Sequence, residues 1–398
     1  MWFFWPSKII YGENSLDFLE NISGNKYFIV TDDVLKDLGY VNILTEKLEN
    51  FGREYKIYSG VHPDPHEEDV LEAREQCLTY QPNIIIALGG GSVMDVAKAT
   101  LALYDYPEYT IDDLYPFNPE LYNLGKKTQL IAIPTTSGTG ADNTYAIIIS
   151  KKEEGIWKKL IHAHKGLVPS YTILDPIFPA GMPPKLTLNT AFDALAHSFE
   201  NFANTWRNEF SDALGLKAIE LIFEYLPKAY ENGDDMEARD MLHQAATIAG
   251  LAFGNSSVHI GHSLGHSWGS IFKCAHGEAV GILTPYIIQY LLNNPESDEV
   301  KNIYAKMAKQ LGWSEWSDSI DDSVNSIINH IKELQDKINF PIKFADTGVS
   351  KDEMEKSLDK MVELSFQDPT ITMAPRAINA EQIKKIYRYA FEGKDINF

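Results

Sequence analysis

Apolar positions follow two different periods along the 398-residue chain. In the first half, short apolar runs recur at Tyr27–Val30, Tyr55–Tyr58, Ile84–Leu88, Leu130–Ile133 and Tyr171–Leu174. Stretches of helical spacing lie between them. Ile84–Leu88 is apolar at every position, as in a strand covered on both faces. Strands interleaved with helices predict an open parallel sheet. After Pro183-Pro184 the period becomes helical, at Ala194–Asn204, Ser211–Tyr225, Met236–Phe253 and Glu381–Phe391. The pattern predicts an α/β domain over residues 1–180 and an all-helical domain over 181–398. No internal repeat or low-complexity tract interrupts either part.

The run Gly89-Gly90-Gly91-Ser92 follows the all-apolar strand directly, and a helical stretch follows the run. Glycines let a backbone approach a ligand closely and take positive φ. Ser92 is expected to cap the helix, with Asp95 completing a near capping box. The N–H groups at such a helix start suit a pyrophosphate. The run is neither G-x-G-x-x-G nor a Walker loop, so a tight structural turn stands as the other reading. A second loop, Pro134–Gly140, closes another strand and offers Thr135, Thr136 and Thr139. Parallel strands end on one side, where open sheets bind ligands. Asp32, just after the first run, is placed to accept from the ribose 2′-OH of NAD and to repel the 2′-phosphate of NADP. It equally suits a helix cap.

The helical half carries a second kind of chemistry. Asp193-Ala-Leu-Ala-His197 sets a carboxylate and an imidazole one turn apart on a helix face. His262-Ser-Leu-Gly-His266 repeats the spacing, and His276 follows. One carboxylate with three imidazoles drawn from such a set suits Fe²⁺ or Zn²⁺ rather than Mg²⁺ or Ca²⁺. His259, the pair His162 and His164, and Cys274 are weaker competitors for such a role.

Charge narrows the classes. Lys and Arg total 35 against 56 Asp and Glu, a net charge of −21, which disfavours phosphate backbones and anionic lipid. Nucleic-acid and membrane partners are therefore not expected. Cys77 and Cys274 make no disulfide framework, and no apolar stretch reaches membrane-spanning length. The start Met1–Lys8 lacks the parts of a signal peptide, so a cytoplasmic protein is expected. Its aromatic run Trp2–Trp5 reads either as a core strand of its own domain or as a strand pairing across a dimer.

Taken in order, these motifs resemble one family. They are Val30-Thr-Asp32, Gly89–Asp95 with Lys98, Pro134–Gly140, Leu174-Asp-Pro176, Phe192–His197 with Glu200, Ala249–Asn255, His262–Gly269 and His276-Gly277. The set is similar to the iron-activated, or group III, alcohol dehydrogenases, relatives of glycerol dehydrogenase and dehydroquinate synthase. The resemblance implies an N-terminal dinucleotide-binding α/β domain plus an all-α C-terminal domain, a dehydroquinate synthase-like architecture. It implies NAD, with NADP not excluded, and one divalent metal in the cleft between the domains. Carried over by position, the metal ligands are Asp193, His197, His262 and His276. His266 matches a further histidine near the nicotinamide, with a catalytic role. Gly90, Gly91, Ser92 and Asp95 match pyrophosphate-side positions, Thr135, Thr136 and Thr139 the second cofactor loop, and Asp32 the NAD-preferring members. The implied reaction is metal-dependent reversible hydride transfer between a small primary alcohol or diol, or its aldehyde, and NAD(P), in a homodimer. A lyase resembling dehydroquinate synthase, a hydroxyacid-oxoacid transhydrogenase and a binding module without chemistry are the alternatives. The lyase substrate calls for clustered basic residues, of which these motifs show few. Two departures stand out: Ala141-Asp142 where the family reads Ser-Glu, and Ala374-Pro-Arg376 where it reads Asn-Pro-Arg.

Overall fold

The computed structural model describes residues 4–115, 118–121, 123–153, 156–293 and 298–398. Trp2 and Phe3 of the aromatic start lie outside them. The chain divides into two compact units, Met1–Gly181 and Met182–Phe398.

The first unit is built on a parallel sheet. Its strands are β1 (Lys8–Tyr11), β2 (Lys26–Val30), β3 (Glu54–Tyr58), β4 (Ile84–Gly89), β5 (Gln129–Pro134) and β8 (Tyr171–Leu174). In space they run β1-β8-β5-β4-β2-β3, all parallel. Helices α1 (Asp33–Asp37), α2 (Tyr40–Asn50), α3 (Glu67–Tyr80) and α4 (Gly91–Asp105) join or cover them. Strand β4 is fully buried, and the pleat divides its side chains between two cores. Ile85 and Ala87 pack with Phe28, Val30 and α4. Ile84, Ile86 and Leu88 pack with Tyr27, Ile29 and α2. An all-apolar strand is what two covered faces require. A separate antiparallel hairpin, β6 (Ala146–Glu153) and β7 (Ile156–Ala163), is absent from the sequence-based expectation. Its strands stand outside the main sheet, and β6 mixes an apolar Ile147–Ile149 run with a charged tail.

Chain order reverses between β2 and β4, as in doubly wound sheets. The loops after these two strands therefore flank the place where such sheets bind ligands. Asp32 follows β2, and Gly90 joins Gly89, the last residue of β4, to Gly91, the first of α4.

The second unit is helical. Its helices are α5 (Pro184–Phe202), α6 (Glu209–Glu231), α7 (Met236–Gly254), α8 (Ile260–Phe272), α9 (His276–Leu292), α10 (Glu299–Gln310), α11 (Ile320–Lys337), α12 (Lys351–Gln367) and α13 (Ala380–Glu392). Helix α5 starts ten residues before the periodicity suggests, because Pro184 is its first residue, where a missing N–H costs nothing. Arg376 closes the far end of α9: its guanidinium donates to the carbonyls of Tyr290 and Asn293 and lies over the Tyr290 ring. Positive charge at a helix C-terminus is stabilising. The departure at Ala374 thus leaves the structural arginine in place. Among the described residues, no helix is long and apolar enough to cross a membrane.

Candidate functional site

Three helices of the second unit bring the acidic and imidazole residues together. Asp193 and His197 lie one turn apart on α5, His262 and His266 on α8, and His276 is the first residue of α9. Close approach of α9 to α5 depends on Gly277, whose Cα faces the backbone of Asn189 and the Cβ of Asp193. The Asp193 carboxylate consequently sits by the start of α9, where helix N-termini favour negative charge.

One oxygen is the hub of the cluster. Asp193 Oδ1 lies 3.2 Å from His276 Nε2, 3.7 Å from His197 Nε2 and 3.8 Å from His262 Nε2. Tetrahedral ligands with bonds near 2.1 Å stand about 3.4 Å apart, so this spacing fits one shared ion. Asp193, His262 and His276 each offer an atom within 4.8 Å of the other two, while His197 joins through Asp193. Asp193 Oδ1 and His262 Nε2 are buried without a hydrogen-bond partner. Uncompensated buried polar atoms are costly, and a divalent cation satisfies both. The donor set therefore fits the implied metal.

Electrostatics agree. Burial alone raises the Asp193 carboxyl, but His197, His276 and His262 outweigh it and hold it well below its usual range. Burial pulls His262 down, yet Glu200 and Asp193 overcome it and lift the imidazole to about 10. His197 is pushed down to about 3, chiefly by burial. The buried carboxylates Asp193 and Glu200 thus favour a positive charge at His262, between them. The side chains of His276 and His266 are 37% and 26% exposed, so the cluster opens to solvent on their side.

His266 is set apart from the hub. Its ring stacks on His276 at 4.8 Å, and its Nδ1 lies 2.6 Å from Asp368 Oδ2. Asp368 follows α12, and its other oxygen accepts from Thr370 N and Oγ1. No spacing signal in the sequence links residues 102 positions apart, so Asp368 escaped the sequence reading. Glu200 carried a signal: it falls on the same face of α5 as Asp193 and His197, at i+7 and i+3.

The other candidates go elsewhere. His259 Nδ1 lies 3.5 Å from Glu200, not at the hub. His162 is in β7, and His164 Nδ1 accepts from Gly166 N. Cys274 Sγ donates to Glu278. A second group, His62, His66 and Asp69, also has donor atoms within 4.8 Å of one another. There Asp69 accepts from His62 Nδ1 and from the backbone N–H groups of His62 and His66, capping α3. That use of the donors suits a helix start more than a cation.

The glycine turn corrects three expectations. Gly89, Gly90 and Gly91 are not at positive φ. Gly89 is needed for space, since a methyl there would stand 2.5 Å from Val93 Cβ. The cap of α4 is Gly90, not Ser92, whose hydroxyl donates to Pro63 O. Asp95 makes no capping box; it accepts from Ile148 N and lies beside the buried Lys98, which donates to Ala146 O. These bonds fix the hairpin to α4. Asp142 accepts from Asn143 Nδ2, so that departure falls in a buried polar network. Thr136 and Thr139 pack against Gly90 and Gly91, and Thr135 N donates to Gly89 O. Asp32 caps α1 through Leu35 N.

Family models match both units. The iron-containing alcohol dehydrogenase model matches residues 6–176, and the C-terminal model of the Fe-containing alcohol dehydrogenase family matches 187–391. The chain belongs to the iron-containing alcohol dehydrogenases. It is 37% identical over 396 residues to the NADPH-dependent butanol dehydrogenase of Clostridium saccharobutylicum, covering 99% of this chain and 98% of that one. It is 31% identical to an aldehyde-alcohol dehydrogenase of Streptococcus pneumoniae, of whose length the match spans 46%. The solved 1,3-propanediol oxidoreductase superposes with a TM-score of 0.89 at 28% identity, covering 98% of this chain and all of that one. This iron-containing alcohol dehydrogenase therefore has the expected fold class and carries out NAD(P)-dependent alcohol oxidoreduction.

Proposed function

We propose that the enzyme interconverts small primary alcohols or diols and their aldehydes, using NAD and one divalent ion, Fe²⁺ before Zn²⁺. The ion's ligands are Asp193, His197, His262 and His276. The convergence of three imidazole nitrogens on Asp193 Oδ1, at 3.2 to 3.8 Å, carries this reading. The names of two relatives, a butanol dehydrogenase and a 1,3-propanediol oxidoreductase, support the substrate class.

When bound, the ion supplies a Lewis acid toward an alcohol oxygen, and the nicotinamide a hydride acceptor. The protein's own groups do the rest. Asp193 contributes the one anionic ligand. His266 takes up the alcohol proton at Nε2 and passes it to solvent. Asp368 holds that ring by Nδ1, and a carboxylate can only accept there, which leaves the Nε2 lone pair for the proton. Asp368→Asn is expected to lower kcat on the order of tenfold while substrate KM and bound metal stay unchanged. An unchanged kcat in steady-state assays would remove Asp368 from the relay.

The N–H groups at Gly90–Ser92 are the pyrophosphate site in this reading, with Thr135, Thr136 and Thr139 lining it. Asp95, committed to β6, supports the turn from behind. Asp32 sets the cofactor preference by repelling a 2′-phosphate. NADH formation from short primary alcohols with added Fe²⁺ or Zn²⁺ tests the reading. NAD is expected to exceed NADP in kcat/KM by about tenfold or more. Asp32→Asn keeps a good helix cap and is expected to narrow that gap. A preference for NADP with Asp32 intact would contradict the assignment. The proposed setting is a cytoplasmic homodimer. The two unlinked cysteines support a reducing compartment. The edge strand β1 offers a side for pairing.

A further inference from the structure

Glu200 is a charged side chain with no place among the four metal ligands, yet it is almost wholly buried beside them. Burying a carboxylate is costly unless it is paired. Its partners here are specific. Oε2 accepts from the backbone N–H of His259, at the start of α8. The same oxygen lies 3.1 Å from His262 Nδ1 and 3.5 Å from His259 Nδ1. His262 thus stands between two carboxylates, with Nδ1 toward Glu200 and Nε2 toward Asp193. A cation at the hub would need the Nε2 lone pair, and the ring's one proton would then stay on Nδ1, toward Glu200, which can only accept.

The space for this carboxylate comes from one glycine. A methyl group at Gly261 would overlap Glu200 Oε1 and stand 3.2 Å from its Cδ. Gly261 lies inside α8, where glycine weakens a helix by about 1 kcal/mol relative to alanine. Local helix stability does not explain it, whereas room for Glu200 does.

We infer that Glu200, admitted by Gly261, is a positioning residue that fixes the ring and tautomer of His262 for metal binding. The inference rests on the metal-site reading of Asp193, His197, His262 and His276. Outer carboxylates that hold a ligating imidazole in this way raise its basicity and reduce its freedom.

The test is Zn²⁺ affinity of the metal-stripped full chain, measured by competition with a chromophoric chelator. Glu200→Gln keeps an acceptor for His259 N but removes the charge. It is expected to weaken Zn²⁺ binding 10- to 100-fold. Gly261→Ala touches no ligand and favours the helix, but displaces the carboxylate. It is expected to weaken binding at least tenfold. The metal-free melting temperature shows whether each variant is folded, and one serves if the other is not. Wild-type affinity in either folded variant overturns the inference. Failure of the metal-site reading is a different result: wild type and His262→Ala would then bind Zn²⁺ equally.

Discussion

His262→Ala is expected to lose the bound metal and to lower alcohol oxidation by about a thousandfold or more. The ring is buried between Asp193 and Glu200 and gives one nitrogen to each. Removing it takes one of the four proposed ligands and leaves two buried carboxylates without the imidazole that separates them. The Lewis acid is worth several kcal/mol to the reaction, and each 1.4 kcal/mol is a factor of about ten. Metal per chain by elemental analysis and NADH formation check the two halves of the expectation. His266→Ala is the control, since its ring is held by Asp368 away from the hub. That variant should keep the metal and lose turnover. Stoichiometric metal in His262→Ala would remove His262 from the ligand set.

A single methyl group at Gly277 is expected to do nearly as much. It would overlap the Asn189 carbonyl oxygen and lie 2.6 Å from the Asn189 carbonyl carbon. Both are backbone atoms of α5, so no rotamer change relieves the contact. Helix α9 has to move, and its first residue is His276, which lies 3.2 Å from Asp193 Oδ1. Gly277→Ala should therefore cost about 1–3 kcal/mol in stability, the usual scale of overpacking. It should also reduce metal content, although no ligand has changed. Urea unfolding with metal analysis measures both. Wild-type stability and full metal occupancy would show that the approach of α5 and α9 does not hold the site together.

What the sequence reveals and what it hides follow from how far each signal reaches. The strand at Ile84–Leu88 was readable because burial on both faces leaves no polar position. The glycine turn was readable because its residues are consecutive. Its details were not: Ser92 looks like a cap, but Gly90 takes that place and the Ser92 hydroxyl goes to Pro63 O. The hairpin β6–β7 has only one partner strand on each side of its turn, so its pattern is weak. On α5 and α8, i, i+4 spacing was enough to suggest which faces carry chemistry. It could not show that these faces meet. That requires Gly277 and Gly261, whose meaning is space in three dimensions. Asp368 lies farther still from any local pattern, because its partner is on another helix and only tertiary packing joins them.

Asp193, His197, His262 and His276 are expected to share one cation. An anomalous difference map from crystals of the metal-loaded enzyme, collected at the metal's absorption edge, tests it most directly. One strong peak is expected, about 2.0–2.2 Å from Asp193 and from a nitrogen of each imidazole. A peak among His62, His66 and Asp69 with none at Asp193 would contradict it.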